Sequence, residues 1–354
     1  MRHRYSGRER RKKVVLASRR QGEHVISEIL PREAAMQRIS VIVPMYNEAR
    51  HIERTLGSVL RAARAADMDC ELIVVDNGST DQGPQRAREL GAQVLPCPGL
   101  SIGALRNRGA AVATGDCLAF LDADIEVPGN WLQLWQRNQA QAEVFALDCA
   151  APASAPWFAR AWQRRSLAAG DKARLLQWMP TPNLCLKREW FERVGGFDEQ
   201  LRTGEDKDFG LRLNAAGARQ LSLAQPQVLH WGFEASWSEW AAKERWRQGS
   251  HVQLLKSAGP SLRLLRFPLL CLACALLSLM AVLALLLGQG GGALLYLALA
   301  ALAPLLLALR QGWRQRDPLF VLQLWLLHWV RLYLGASALI QGLFNRSVRR
   351  PDRG

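Results

Sequence analysis

The triplet Asp122-Ala123-Asp124 sets two carboxylates at i and i+2, directly after the apolar run Cys117-Leu118-Ala119-Phe120-Leu121. Such a run reads as a buried strand whose carboxyl end presents acids to a cleft. In an open α/β sheet, ligands bind beyond the carboxyl ends of the strands. Hard oxygen ligands at that point suit Mg²⁺ or Mn²⁺ holding a substrate diphosphate. Asp-x-Asp is also common in turns and helix caps, so its meaning depends on what the rest of the chain brings to it.

Strand and helix signals alternate from residue 39 onward. Ile39–Val43 is a β-branched strand, and Glu48–Ala63 carries a helical apolar pattern in Ile52, Leu56, Val59 and Leu60. Glu71–Val75 is a second strand, running into the turn Asp76-Asn77-Gly78-Ser79-Thr80-Asp81. Helical signals at 84–90 and 101–113 alternate with strands at 93–95 and 117–121, and 142–148 and 181–187 are further strand candidates. This order predicts an α/β fold with a mainly parallel sheet flanked by helices.

The chain has 354 residues and a formal charge of +15. Residues 1–20 hold nine Arg and Lys against Glu9, so this stretch alone carries 9 − 1 = +8. Residues 1–37 read as a basic, disordered arm. An anionic lipid surface would attract it, and a nucleic-acid role would rest on it alone, so nucleic acid is not expected as a partner. Met36, just before the first strand, is a natural alternative start, and residues 1–35 lack the pattern of a secretory signal. Seven scattered cysteines, an odd count without framework spacing, point to a reducing compartment and against a disulfide scaffold.

Composition shifts near residue 266. Phe267–Leu287 and Gly291–Leu309 are uncharged runs of 21 and 19 residues, each long enough for a bilayer core. The turn Gly288-Gln289-Gly290 between them is uncharged, whereas the next linker carries Arg310, Arg314 and Arg316. By the positive-inside rule the basic N-terminal region and the 310–317 linker are cytoplasmic, and the Ala-, Leu- and Arg-rich composition points to a bacterial inner membrane. A third apolar segment, 319–344, contains His328 and Arg331, and a basic tail follows at 346–354. Spanning and non-spanning readings of that segment both remain open. The expected organisation is an arm at 1–37, an α/β domain at 38–262, a helical membrane region at 263–345 (helices about 267–287, 291–309 and 319–344) and the tail.

Four blocks line up along the α/β region. They are Ile42-Val43-Pro44-Met45-Tyr46-Asn47-Glu48, then Val74-Val75-Asp76-Asn77-Gly78-Ser79-Thr80-Asp81, then Arg106-Asn107-x-Gly109 leading through Gly115-Asp116 to Asp122-Ala123-Asp124. The last is Gly195-Gly196-Phe197-Asp198-Glu199 followed by Gly204-Glu205-Asp206-x-Asp208. In this order and spacing they resemble the family 2 glycosyltransferases of the GT-A (nucleotide-diphospho-sugar transferase) fold, over roughly residues 38–250.

The resemblance implies a role for each block. Pro44, Tyr46, Glu48, Asp76 and Asp122 would bind the donor, a nucleotide-diphosphate sugar, at neighbouring points of one sheet edge. The turn chemistry of Asp-Asn-Gly is the competing reading for Asp76, and a first-turn helix acid is the one for Glu48. Asp124 and Asp122 would hold the Mg²⁺ or Mn²⁺, with His230 available to complete the set or to pack on Trp231. Asp206 would be the general base of an inverting transfer. Thr203-x-x-Asp206 is also a capping-box pattern. Glu205, Arg245 and Trp246 fall on the acceptor side. Trp237, Trp240 and Trp246 lie on one helix that would either floor the acceptor site or dock on the membrane.

One departure matters. Processive members carry Gln-x-x-Arg-Trp, and here Arg245-Trp246 is preceded by Ala242 at the Gln position. A single transfer is therefore expected, by an enzyme of the hexosyltransferase type acting on a lipid-linked or glycan acceptor. A processive synthase and a non-catalytic scaffold of the same fold are the alternatives.

Overall fold

The computed structural model describes residues 38–165, 167, 173–201, 204–258 and 262–343. The basic arm, Thr203 and the 346–354 tail therefore lie outside the described residues.

The first half of the molecule follows from alternation along its strands. In β1 (Arg38–Met45), Ile39, Val41, Val43 and Met45 enter one apolar cluster and Ile42 enters the other. After α1 (Ile52–Ala66), β2 (Asp69–Asp76) repeats this with Leu72 and Val74 against Ile73 and Val75. Then come α2 (Gly83–Glu89), β3 (Gln93–Pro96), α3 (Ile102–Val112) and β4 (Cys117–Leu121), every residue of which is buried. Strands buried on both faces need a helical layer on each side. α1, α2 and α4 (Trp131–Asn138), which follows the two-residue β5 (Ile125–Glu126), pack on one face. α3 packs on the other.

The second half carries β6 (Val144–Ala150), α5 (Trp157–Arg164), β7 (Arg174–Leu176), β8 (Asn183–Lys187), α6 (Arg188–Arg193), α7 (Glu205–Ala215) and β9 (Gln220–His230). α7 joins α3 through Phe209 and Leu213. The nine strands form one sheet in the order β3-β2-β1-β4-β8-β6-β9-β5, with β7 on β9. Pairings β1–β2, β1–β4, β2–β3 and β6–β9 are parallel. Pairings β4–β8, β6–β8, β5–β9 and β7–β9 are antiparallel. The expected parallel order thus holds from β3 to β4, and the sheet is mixed beyond. β8 reverses the direction because it runs back along β4 from the site end.

α8 (Trp237–Ala258), α9 (Leu262–Leu286), α10 (Gly290–Gly312) and α11 (Pro318–Leu343) complete the chain. Three of these helices contain stretches long and apolar enough to cross a membrane, Leu265–Leu286, Gly290–Gly312 and Pro318–Gln341. They are not set apart from the α/β region. Trp162 of α5, Trp240 of α8, Ala308 of α10 and Phe320, Leu324 and Leu327 of α11 share one buried cluster.

Close packing of α3 on the sheet depends on Gly109. A Cβ there would lie against Ile42 Cγ2 and 3.1 Å from Val75 Cγ2, both buried in the sheet. Gly109→Ala is expected to destabilise the fold by about 1–3 kcal/mol, seen as a lowered thermal midpoint with unchanged helical content.

Candidate active site at the strand ends

β1 and β2 end in register at Met45 and Asp76, and their loops are laced together. Asn77 N donates to Met45 O at 2.8 Å, Asn47 N to Ser79 Oγ at 2.9 Å and Ala49 N to Asp81 Oδ2 at 2.8 Å. Asn47 holds a left-handed backbone (φ 53), a conformation Asn tolerates better than most residues, while its side chain accepts from Thr80 N. The Asp76 carboxylate accepts from Ser79 N and, at 2.5 Å, from Ser79 Oγ. The turn role of Asp76 is therefore realised in the geometry. Tyr46 is exposed on the rim, Glu48 is buried where its carbonyl starts the turn into α1, and Pro44 is buried in β1 opposite Val75.

The acidic triplet follows β4. Ile125 N donates to Asp122 O at 3.2 Å and closes a turn. α1 supports that turn from beneath: Thr55 Oγ1 donates to Ala123 O, and Ser58 Oγ accepts from Val127 N. Asp124 is 2% exposed, with His230 Nε2 3.2 Å from its Oδ2. The two meet because Ile125 pairs with His230 across β5–β9, and Trp231 N donates to Asp124 O at 2.8 Å. Against β6 the register jumps: Leu147 pairs with Leu223 and Cys149 with Val228, so β9 advances 228 − 223 = 5 residues while β6 advances 149 − 147 = 2. Such irregularities re-aim side chains, and here the displaced strand end carries His230. Gln163 of α5 places Nε2 3.2 Å from His230 Nδ1 and 3.3 Å from Cys149 Sγ. Burial, then the charges of Asp124 and Asp122, pushes the Cys149 thiol up to about 12.

Arg106 ties this group to α7. Its Nη1 is 2.9 Å from Glu205 Oε1 and its Nη2 3.1 Å from Asp122 Oδ1, and the residue is 3% exposed. One guanidinium thus joins the end of β4 to the first residue of α7. Asn107 makes the next tie, exchanging hydrogen bonds with Phe197 N and O. The N-cap of α7 is Gly204 (φ 81), with no side-chain cap of its own; the Thr203 of the capping-box expectation lies outside the described residues. Asp206 Oδ1 instead accepts from Lys207 N at 2.7 Å. Desolvation and then the Glu205 charge raise the Asp206 carboxyl, and Asp122 and Arg106 both act on it in opposite senses. Desolvation also raises the Asp122 carboxyl, opposed by Arg106 and His230 and reinforced by Asp124. Its tip still keeps 38% of its surface open.

The donor set of Asp122, Asp124 and His230 is two hard carboxylates and one imidazole. That chemistry fits Mn²⁺ well and Mg²⁺ through its oxygens. Among the described residues no three such groups already converge on one point. Asp124 and His230 meet, while Asp122 turns to Arg106. Arg245 and Trp246 are not part of this cluster; they lie on α8. α8 lays Trp240, Glu244 and Gln248 along α11, and the two residues after Glu244 are rotated off that seam, half-buried.

Sequence alone assigns Arg106 no role. Its signal is that Arg106, unlike Arg108, shares a helix face with Gly103, Gly109 and Ala110, a close-packed face on which a cation demands a buried acid. Arg106→Gln leaves Glu205 and Asp122 without their cation. It is expected to cost about 2–3 kcal/mol in unfolding, below a fully buried pair because Asp122 keeps some water. Arg106→Lys, able to reach one acid but not to fork to both, should fall between.

Comparisons with known proteins agree with this arrangement. The model described as glycosyl transferase family 2 matches residues 40–204, and that described as glycosyl transferase family group 2 matches residues 164–334. A validoxylamine A glucosyltransferase of Streptomyces hygroscopicus subsp. jinggangensis is 29% identical over 237 residues, 56% of this chain and 55% of the relative. The O-antigen biosynthesis protein RfbC of Myxococcus xanthus is 28% identical over 54% of this chain and 17% of its own length. A pre-mycofactocin glycosyltransferase of Mycobacterium tuberculosis is 26% identical over 61% and 47%. The chain spans about half the length, or less, of these curated relatives. Among solved structures, a mannosyltransferase from Pyrobaculum calidifontis in complex with GDP-Man and Mn²⁺ superposes with a TM-score of 0.53 at 20% identity, over 88% of this chain and 89% of that one. The sheet with its flanking helices is a GT-A fold, and with family models running from residue 40 to residue 334 the chain belongs to glycosyltransferase family 2.

Proposed function

We propose that this protein is a membrane-bound, inverting glycosyltransferase. It moves one sugar from a nucleotide-diphosphate donor to a lipid-linked or glycan acceptor at the cytoplasmic face. Its product would serve an envelope glycan, an exopolysaccharide or a glycolipid. The observation that carries this is the Arg106 bridge, which sets the Asp-x-Asp strand end beside the start of α7. Names among the relatives support the reading: a glucosyltransferase, an O-antigen biosynthesis protein and a mannosyltransferase with GDP-Man and Mn²⁺.

In this reading the loops after β1 and β2 receive the nucleotide, with Tyr46, Glu48 and Asp76 around it and Pro44 shaping the strand end. Asp124, Asp122 and His230 would hold a divalent cation, which when bound would supply charge neutralisation for the departing nucleoside diphosphate. Asp206 accepts the proton of the acceptor hydroxyl while that oxygen bonds to the anomeric carbon. The carbon–oxygen bond to the diphosphate breaks on the opposite face, so configuration inverts. Glu205 does not need to move protons, since it is committed to Arg106 and holds Asp206 in place. Arg245 and Trp246 border the acceptor side from α8.

Membranes carrying the protein, supplied with a panel of nucleotide sugars and Mn²⁺, are expected to release nucleoside diphosphate with one donor. Chelation should abolish the release, and no release with any donor would refute the reading. Asp206→Asn should keep donor binding and lower kcat by about 10² or more. Asp206 works only when deprotonated, so activity present at neutral pH is lost as pH falls through its raised pKa, above the usual Asp value of about 3.9. Glu205→Gln removes a raising charge, so the acid limb of the rate profile should shift to lower pH.

A further inference from the structure

α11 passes the length and composition test for a membrane span, yet it is the least apolar of the three and the most covered by protein. What covers it decides how it lies. α8 runs beside it in the same direction: Trp240 packs with Leu324 and Leu327, the Glu244 carboxylate is 3.4 Å from Arg331, and Gln248 lines a small pocket with Gly335 and Leu339. Steps of four along α8 match steps of about four along α11. Over the same turns α8 carries Glu239, Lys243, Glu244, Arg245 and Arg247. A helix so charged stays out of hydrocarbon, where even one ionised side chain is costly. α11, held along its length by α8, stays out with it.

The ends of α11 agree. Its start is fixed beside the end of α10: Arg164 of α5 grips Asp317 at 2.7 Å, and a Cβ at Gly312 would meet Val321, Phe320 and Leu324. Its far end reaches Phe267 and Pro268 at the beginning of α9. The beginning of α9 and the end of α10 lie at one end of their hairpin; the Gly288–Gly290 turn is at the other. A straight third crossing would bring residues near 340 to that turn. His328, buried in mid-helix, instead meets Trp162, a residue of the α/β region, edge to face with ring centroids 5.3 Å apart.

We infer that α11 lies along the membrane surface beside α8, so that the chain crosses the bilayer twice, through α9 and α10, and its C-terminus returns to the side of the catalytic domain. The inference rests on the membrane-bound reading above. The surface that meets lipid is already sorted. Leu319, Leu322, Leu326, Val330, Tyr333 and Ile340 are exposed at helical spacing on one stripe, and α9 and α10 expose leucines of their own. An exposed apolar stripe opposite a protein-bound face that carries His328 and Arg331 suits a helix seated in the interface.

Alkaline phosphatase and green fluorescent protein fusions to the full chain test this in a bacterial inner membrane. One site is within the Gly288–Gly290 turn, the other after Gly354. The expected result is phosphatase activity at the turn only, and fluorescence at the C-terminus only. Phosphatase activity at both sites would show that α11 crosses, and would overturn the inference while leaving the membrane-bound reading intact. An inactive phosphatase at the turn would show that the hairpin itself does not cross, and both would fall.

Discussion

A single buried cation holds this site together. Arg106 lies behind the strand ends with almost no solvent, and the free energy of leaving it there unpaired would be prohibitive. Its two acids come from opposite directions, Asp122 at the end of β4 and Glu205 at the head of α7. Neither acid could hold its place beside the other without that charge. The guanidinium fork therefore fixes the distance between the strand that would hold a cation and the helix that would carry the base. The aromatic group of Phe120, Phe197 and Phe209 packs under it, with the Phe197 ring 5.3 Å from the guanidinium carbon. A dry floor of this kind strengthens the electrostatic ties above it.

The polar groups of α1 show the same logic from below. A helix face directed at a sheet is usually apolar, yet Thr55 and Ser58 are buried there: Thr55 donates to Ala123 O in the turn after β4, and Ser58 accepts from Val127 N just past β5. That turn places Asp124 against His230 only because β9 slips its register on β6 just before reaching it. Position in this site is thus set by regular strand pairing and one register slip together, held in place by side chains.

Much of the parallel half was legible in the sequence. Period-two burial in β1, β2 and β4 writes both apolar clusters into the residue order, and the loops after β1 and β2 carry Gly, Asn and Asp where the turns require them. The mixed half was harder to read. β5 has two residues and β7 three, too short for any period to show. α5 was not anticipated at all, because its residues make sense only against α8 and α11. The role of Arg106 was out of reach for a similar reason, since its partners stand 16 and 99 positions away along the chain. His230 was nameable as a ligand candidate, whereas its meeting with Asp124 depends on a strand pairing that no local pattern announces.

α5 does two jobs within one turn. Gln163 touches the imidazole of His230, and its neighbours Trp162 and Arg164 hold α8 and the head of α11. It works as a stiff lever with one arm in the chemistry and the other in the apolar helices. A displacement of α8 or of the head of α11 would reach the imidazole beside Asp124 through three successive residues of one short helix.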